Sequence, residues 1–517
     1  MKIKSKSRKS IFNLATSIFY KAVVIAVGLV LPKLFITMYG SEINGLQNSV
    51  RQIFAYIALL EAGIGASTIQ SMFKPVALGD RDKVNSYLSA ASSYYNKIGF
   101  IYFGVLAVIS AIYCFAVPVS TMDRLQVFLY IMVSGALTGV NFFYIAKIKL
   151  LVSAEGDEYL VSIITTVTFT VTSLIKILLI FAGCNIVLLE TVYLLLNASV
   201  TVIYYFAAKK KYPWISLKAA PDYSCVAQSR SVMVHKITSV IFQNTDVILL
   251  TFFCDLYTVS IYSMYKMVTN MVNSLTGTFG DSINFALGQQ FNSANDENHD
   301  YYKRFVDVFN IYYSALSFGL FTVTYIFLIP FLRIYTANAD INYIYEWMPF
   351  VYIIIEILMV GREAMMRTIN VAGHFKKTQW RSVIEAGLNI VCSILFILLF
   401  KSFMGNVGGL YGALLGTVVA LLYRTIDINI YANKHILFRS SFKTFKIMVT
   451  NFLVFIVIAV VFFFYDLQAD NYLTLVINAV WITAVVLAVF FATQSLFNIK
   501  EFKAFKNYYK KRFLHKK

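Results

Sequence analysis

Residues 159–182 read YLVSIITTVTFTVTSLIKILLIFA, and residues 185–207 read NIVLLETVYLLLNASVTVIYYFA. Each run matches the roughly 20 apolar residues that cross about 30 Å of hydrocarbon. Only Gly183 and Cys184 separate them. Two such runs in succession form a helical hairpin through a bilayer. Working outward, comparable segments fall near 10–36, 43–72, 87–117, 125–150, 231–253, 257–288, 303–332, 343–369, 380–400, 407–432, 444–465 and 472–497. The chain therefore reads as an all-α polytopic membrane protein with about fourteen transmembrane helices.

Composition agrees. Of 517 residues, 59% are hydrophobic and 14% charged, and the mean hydropathy is +0.68. Soluble proteins carry roughly 25% charge, so this much apolar sequence has no aqueous surface to occupy. Seven prolines suit long uninterrupted helices. The net charge of +19 does not imply nucleic acid, because the cations lie in tails and short loops, where they set topology. The basic start, Lys2 to Lys9, runs into apolar sequence without a small-residue cleavage pattern and reads as part of a retained first span. The five cysteines are scattered and contain no CxxC pair, so neither a metal site nor a disulfide framework follows.

Cation asymmetry orients the chain. With a cytoplasmic N-terminus, the cytoplasmic breaks hold Lys74, Arg81, Lys83, Lys209, Lys210, Lys211, Lys303, Arg304, Lys376 and Lys377. The opposite side holds Arg124, Arg333 and Lys401, with Lys33 close by, and the acids Glu42, Asp123, Asp255, Asp340, Asp466 and Asp470. This bias puts both termini in the cytoplasm and makes the span count even. The basic C-terminal tail, with Lys510, Lys511 and Arg512, follows the same rule.

An internal repeat divides the chain. An offset of 215 relates Lys21 to Lys236, Arg51 to Lys266, Gly65 to Gly280 and Tyr87 to Tyr302. Pro118 and Pro330 close the third and ninth segments. Expected domains are an N-lobe over 1–210, a cytoplasmic linker over 211–230, a C-lobe over 231–436, two further spans in 444–497 and a basic tail over 498–517. Two pseudo-symmetric lobes of six helices place a transporter's substrate site between them.

Charges within the apolar segments locate that site. Each costs roughly 2.5–3.5 kcal/mol at mid-helix, yet the chain places Lys21, Arg51, Glu61, Lys97, Lys176, Lys236, Asp246, Lys266, Asp281, Glu356 and Glu385 there. Lys97, Lys176 and Glu385 lie nearer span ends, where long side chains snorkel; Asp281 lies near a cytoplasmic end as a candidate helix cap. Lys236, Ser239, Gln243 and Asp246 form one helical stripe; Ser263, Lys266, Asn270, Asn273, Gly277 and Asp281 form another. Asn13, Ser17 and Lys21, and Asn44, Asn48 and Arg51, give shorter stripes. The expected site is a shared wet cavity whose cations Lys21, Arg51, Lys236 and Lys266 attract an anion, with phosphate suited to both lysine and arginine. Asp246, and secondarily Glu61, would hold a coupling proton or sodium ion; no other cofactor and no metal are implied. Pro32 is expected to bend the first span, and Gly405, Gly408, Gly409, Gly412 and Gly416 to let helices approach closely.

Several motifs resemble a known family. Tyr39-Gly40-Ser41-Glu42-Ile43-Asn44-Gly45-Leu46, Leu59-Leu60-Glu61-Ala62-Gly63-Ile64-Gly65 and Lys74-Pro75-Val76-Ala77 are similar to the start of Wzx-type polysaccharide repeat-unit flippases. Val234-His235-Lys236 through Thr245-Asp246, then Val259-Ser260-Ile261-Tyr262-Ser263, resemble their seventh and eighth helices. Ala372-Gly373-His374-Phe375, Glu385-Ala386-Gly387-Leu388-Asn389-Ile390 and Gly412-Ala413-Leu414-Leu415-Gly416-Thr417 resemble the eleventh and twelfth. Together the motifs span most of residues 10–436. The family sits in the multidrug/oligosaccharidyl-lipid/polysaccharide exporter (MOP) superfamily. The resemblance implies two six-helix lobes working by alternating access in a bacterial cytoplasmic membrane. It implies a polyprenyl-diphosphate-linked oligosaccharide as cargo, moved to the outer leaflet for O-antigen or capsule synthesis, with other polysaccharide-assembly membrane proteins as partners. On that reading the four cations meet the diphosphate, while Gln243, Asn270, Asn273 and Tyr262 meet sugars. In the similar lipid II flippases an extra helix pair forms a groove for the lipid tail, the place that 444–497 would take.

Two alternatives differ in what they require. A drug or organic-cation exporter of the same superfamily needs net negative charge in the cavity. A membrane-embedded polymerase or ligase needs catalytic residues on sizeable outer loops, and every outer break here is short. With no nucleotide motif, metal cluster or nucleophile–base pair in the sequence, a transporter rather than an enzyme is expected.

Overall fold

Hydrocarbon offers no water to an open peptide group, so apolar segments close their own backbone hydrogen bonds as helices. The computed structural model describes residues 6–503 apart from 62–63, 227–229, 293–298, 466, 468 and 470, and every regular element among them is helical. The α-helices are α1 (Lys6–Tyr39), α2 (Ser41–Ile57), α3 (Ile64–Leu78), α4 (Arg81–Ala116), α5 (Arg124–Phe143), α6 (Ile145–Ala154), α7 (Glu158–Phe181) and α8 (Ile186–Lys211). They continue as α9 (Arg230–Phe253), α10 (Leu256–Asn292), α11 (His299–Tyr335), α12 (Met348–Val371), α13 (Phe375–His435), α14 (Phe442–Phe464) and α15 (Tyr472–Phe497). Short 3-10 helices cover Ala58–Glu61 and Tyr223–Val226.

Among the described residues nine helices are long and apolar enough to cross a membrane: α1, α4, α5, α7, α8, α11, α13, α14 and α15. The 61-residue α13 supplies two passes, because Gly405 at φ 64, ψ −153 breaks it, in a region open essentially to glycine alone. With α2–α3, α9, α10 and α12, the chain makes about fourteen passes. Those last four are too polar or too interrupted to stand among the nine, and they carry Arg51, Glu61, Lys236, Asp246, Lys266 and Glu356. The helices least at home in lipid bear the expected site residues other than Lys21, which lies on α1.

Two spans differ from their expected form. The segment near 43–72 is α2 and α3 joined through the 3-10 turn Ala58–Glu61. The segment near 125–150 breaks at Tyr144 into α5 and α6. Hydropathy stays high across both breaks, so an apolar count cannot detect them. Pro330 does not close its segment either. It lies inside α11, which runs on to Tyr335, whereas Pro118 does follow the end of α4.

Packing groups the helices into two units. The first is Met1–Ser260 with Ala339–Ile341; the second is Ile261–Asn338 with Asn342–Lys517. The division falls later than the linker expected at 211–230, because α9 packs along α2. In the first unit α1 lies on α7, α4 on α5 and α5 on α8. Its core includes Phe35, Leu46, Tyr102 and Tyr130. The described part of the expected linker, 211–226, is an ordered strap. Asn85 holds it on both sides, donating to Trp214 O (3.2 Å) and accepting from Ser216 N (3.0 Å). Ser67 Oγ donates to Cys225 O (2.7 Å), and the Cys225 side chain is wholly buried. Glu42, expected only as an outer-side acid, accepts hydrogen bonds from Ser120 N (2.8 Å) and Thr121 N (3.0 Å) and so anchors the α4–α5 loop.

In the second unit α11 lies against α12, α14 and α15, and α12 lies against α13. The two arms of α13 fold back on each other. Each missing glycine side chain is filled by backbone: a Cβ on Gly408 would sit 2.2 Å from Phe400 O, on Gly412 2.4 Å from Phe396 O and on Gly416 2.4 Å from Ser393 N. The small-residue spacing in the sequence is therefore a packing device, as expected. The final pair is tied to the unit by polar contacts. Gln494 on α15 donates to Asn451 Oδ1 on α14 (2.9 Å), and Asp307 on α11 meets Lys443 (2.6 Å) and Arg439 (2.7 Å). The expected C-terminal cations Lys510, Lys511 and Arg512 and the outer acids Asp466 and Asp470 lie outside the described residues.

Candidate functional site

The α10 stripe is open. Ser263, Lys266, Asn270, Asn273, Gly277 and Asp281 all retain exposure, while Met264, Tyr265, Thr269 and Thr276 between them are buried. A polar helix face that stays accessible in a membrane protein turns toward water or cargo, since lipid contact would cost several kcal/mol per charge.

Behind this stripe stands α12, with Glu356, Glu363 and Arg367 spaced seven and four apart on one face. Glu356 is fully buried. Its Oε2 accepts a hydrogen bond from Asn273 Nδ2 at 2.8 Å, and its Oε1 lies 3.6 Å from Lys266 Nζ. About three turns farther along α12, Arg367 reaches Asp281 on α10 at 3.1 Å and Glu363 on its own helix at 2.8 Å. Gly280 makes room for that guanidinium: a Cβ there would sit 2.4 Å from Arg367 Nη2. Asp281 is thus a cross-helix partner rather than the cap expected of it.

On its other side α12 joins an ion network with α13. Arg362 pairs with Glu385. Arg424 reaches Glu385 at 3.2 Å and Asp427 at 2.8 Å, and Arg381 pairs with Asp427. Three guanidiniums share two carboxylates, and Arg424 is 1% exposed. Glu385 is therefore locked in the protein interior and does not snorkel.

The first unit separates the remaining expected residues. Lys21, Arg51, Lys236 and Gln243 are exposed. Arg51 lies within electrostatic reach of Tyr130 and Tyr193, as Glu190 does. Gln243 donates to Ser239 Oγ at 2.9 Å. Asp246 is buried, close to Tyr56, and Glu61 accepts from Tyr95 Oη at 2.7 Å. The first residues of the short stripes of α1 and α2 meet protein, while Lys21 and Arg51 at their ends stay exposed. Asn13 spans the α6–α7 turn, donating to Gly156 O (3.1 Å) and accepting from Tyr159 N (2.7 Å), and Ser17 meets Ser162. Asn44 is buried and donates to Ser260 Oγ at 2.7 Å. Lys176 does not snorkel: it meets Glu190 at 2.6 Å and sits over the Tyr193 ring. In the second unit Asn270 is exposed. Tyr262 departs from its expected sugar-binding role, being 4% exposed with its ring packed on Tyr352.

No protein-family model matches the chain, and no curated protein does. Solved structures do. The lipid II flippase MurJ in an inward closed conformation is similar over 95% of this chain and 99% of its own, with a TM-score of 0.59 at 14% identity. An inward-facing multidrug-resistance MATE-family transporter of the MOP superfamily is similar over 82% of this chain and 98% of its own, with a TM-score of 0.55 at 14% identity. A mutant of the Vibrio cholerae MATE transporter VcmN gives 0.52 at 14% identity, over 84% and 99%. The chain has the fold of these solved proteins. It is a multi-pass membrane protein, and the solved proteins that share its architecture are transporters and flippases.

Within this fold, the sequence alone did not single out Glu190, Glu363, Arg362, Arg367, Arg381, Arg424 and Asp427. Local spacing held a signal for two pairs. Glu363 and Arg367 stand four apart, and Arg424 and Asp427 three apart, distances at which helix neighbours meet. The partners on other helices left no such trace.

Proposed function

We propose that the chain is a flippase that carries a polyprenyl-diphosphate-linked oligosaccharide repeat unit from the cytoplasmic to the outer leaflet by alternating access. It would serve surface polysaccharide assembly, O-antigen or capsule, in a bacterial cytoplasmic membrane with both termini cytoplasmic. One observation carries the reading: Lys266 stands half-exposed in the open polar stripe of α10 while its carboxylate partner, Glu356, is sunk behind it. An approaching headgroup meets the cation before the acid. The same order recurs on α9, where Lys236 is exposed and Asp246 is 4% exposed.

Lys21, Arg51, Lys236 and Lys266 would share the diphosphate, and Gln243, Asn270 and Asn273 the sugars. Asp246 or Glu61 would take a coupling proton or sodium ion. The six-helix lobes over 1–210 and 231–436 would rock about the cargo, with α14 and α15 beside it. The likeness to MurJ, a lipid II flippase, supports a lipid-linked cargo. The MATE likeness fits an organic-cation exporter equally well as a fold, but that reading wants acids foremost in the site, and at Lys266–Glu356 and on α9 the cation is the accessible group, with Asp281, farther along α10, the exposed acid paired to Arg367. A polymerase or ligase lacks room for its chemistry in connections as short as Gly40 between α1 and α2.

The test is transport in liposomes. Purified protein should move a fluorescent polyprenyl-diphosphate oligosaccharide between leaflets faster than protein-free vesicles do. Lys21→Ala, Arg51→Ala, Lys236→Ala and Lys266→Ala combined should abolish that movement. Unchanged flipping in the combined variant would remove these cations from the mechanism.

A further inference from the structure

Lys266 is held by Glu356, but loosely. The separation of 3.6 Å exceeds the 2.6 Å of Lys176–Glu190 and of Lys443–Asp307. It also exceeds the roughly 2.7–2.9 Å of a charge-assisted hydrogen bond. Glu356 itself cannot follow the lysine outward. Its side chain is 0% exposed, and Asn273 fixes Oε2. Among the described residues Oε1 has no hydrogen-bond donor. The result is a buried anion with one oxygen that accepts no hydrogen bond, aimed at a cation whose own side chain is 28% exposed.

Two physical demands meet at this pair. An unpartnered ammonium at mid-helix costs roughly 2.5–3.5 kcal/mol, so Lys266 needs a counter-charge whenever cargo is absent. A transporter also needs cargo held weakly enough to leave. A resident carboxylate meets both demands: it neutralises the lysine in the empty state and competes for it in the loaded state.

We infer that Glu356 is a built-in counter-anion that occupies Lys266 between cargoes and limits how tightly the site grips a diphosphate, with Asn273 positioning it. This rests on the flippase reading above, and it gives Glu356 a role as the residue that sets cargo release. Glu356 touches no cargo; it acts through Lys266.

The experiment measures binding of farnesyl diphosphate, a short polyprenyl diphosphate, to the purified full-length protein in nanodiscs, with farnesol as the uncharged control. Glu356→Gln keeps the shape and the Asn273 contact but removes the charge. It should tighten farnesyl diphosphate binding by about tenfold, the scale of one hydrogen bond to a charged group, and leave farnesol unchanged. Glu356→Asp, which retains the charge but draws it back, should fall between wild type and Glu356→Gln and stands in if the glutamine variant does not fold. Lys266→Ala should weaken binding, and in that background Glu356→Gln should have no further effect. Unchanged or weaker binding in folded Glu356→Gln or Glu356→Asp, beside a weakened Lys266→Ala, would overturn the counter-anion role alone. Equal affinity of the wild type for farnesyl diphosphate and farnesol would overturn the flippase reading itself.

Discussion

Lys176 and Glu190 meet at 2.6 Å with both side chains 7% exposed, joining α7 to α8 inside the first unit. The ammonium also lies 4.5 Å from the centroid of Tyr193 and 5.3 Å from that of Phe35. Two charges taken this far from water are stable only together. Breaking one member of a buried pair typically costs about 3–5 kcal/mol because the other charge is left alone. Glu190→Gln should therefore lower thermal stability in detergent by an amount of that order. Lys176→Met combined with Glu190→Gln should recover most of the loss, since no orphan charge remains. A single variant as stable as wild type would show that the pair is not a structural clamp.

The α13 hairpin gives a prediction about volume. A Cβ on Gly412 would lie 2.4 Å from Phe396 O and 2.5 Å from Ile397 N. Backbone cannot yield as a flexible side chain does, so Gly412→Ala should force the arms apart and cost about 1–3 kcal/mol, as overpacking does. Gly387, on the first arm of the same helix, has nothing within 4 Å of its would-be Cβ. Gly387→Ala should be neutral or stabilising by about 0.5–1 kcal/mol through helix propensity. Unfolding midpoints of the two variants, compared in one detergent, check the contrast.

The strap over 212–226 gives a prediction about pH and thiol chemistry. Lys83 Nζ meets Asp222 Oδ2 at 2.7 Å. That hydrogen bond, together with those from Ser224, pulls the Asp222 carboxyl down to about 2, and the same contact raises Lys83 above the ordinary lysine range. A depressed carboxyl contributes stability above its ordinary value and loses it only as pH falls through the depressed one. The pair should therefore stay charged across about pH 5–8. Cys225 beneath it is 0% exposed, and burial pushes its thiol up, which disfavours the reactive thiolate. N-ethylmaleimide should modify Cys225 slowly in the intact protein, with a pH dependence due to the thiol alone. Asp222→Ala should speed that modification by loosening the strap. Peptide-level mass spectrometry reads the result, and equal rates in the two proteins would argue against the strap.

What the sequence displays depends on which force writes it. The spans were legible because crossing hydrocarbon requires apolar length, and α7 and α8 follow their runs closely. The breaks at Ala58–Glu61 and Tyr144 were not, since they are backbone events inside sequence that stays apolar. Helical phase named a face of α10 on which Lys266, Asn270 and Asn273 keep exposure. The same reasoning on α1 found a stripe but not what it met: Asn13 and Ser17 are taken up by α7 and the turn before it. Charges stood out singly, as Glu356 and Glu385 did. The Glu385 partners Arg362 and Arg424 went unread, because pairing across helices is set by packing that periodicity does not encode.

The account depends on the intramembrane cations facing water and cargo, and Lys266 offers the most direct check. In a variant lacking the native cysteines but keeping Lys266, Asn270→Cys, one turn along the same stripe, should react with a membrane-impermeant, positively charged methanethiosulfonate reagent in proteoliposomes, and farnesyl diphosphate should slow that reaction. Residues on apolar outer faces, such as Leu395→Cys on α13 at 59% exposure, should react with the reagent far more slowly and show no protection. An Asn270→Cys thiol that stays unreactive while folded protein is present, or that reacts without any protection by the diphosphate, would contradict an anionic cargo held at α10.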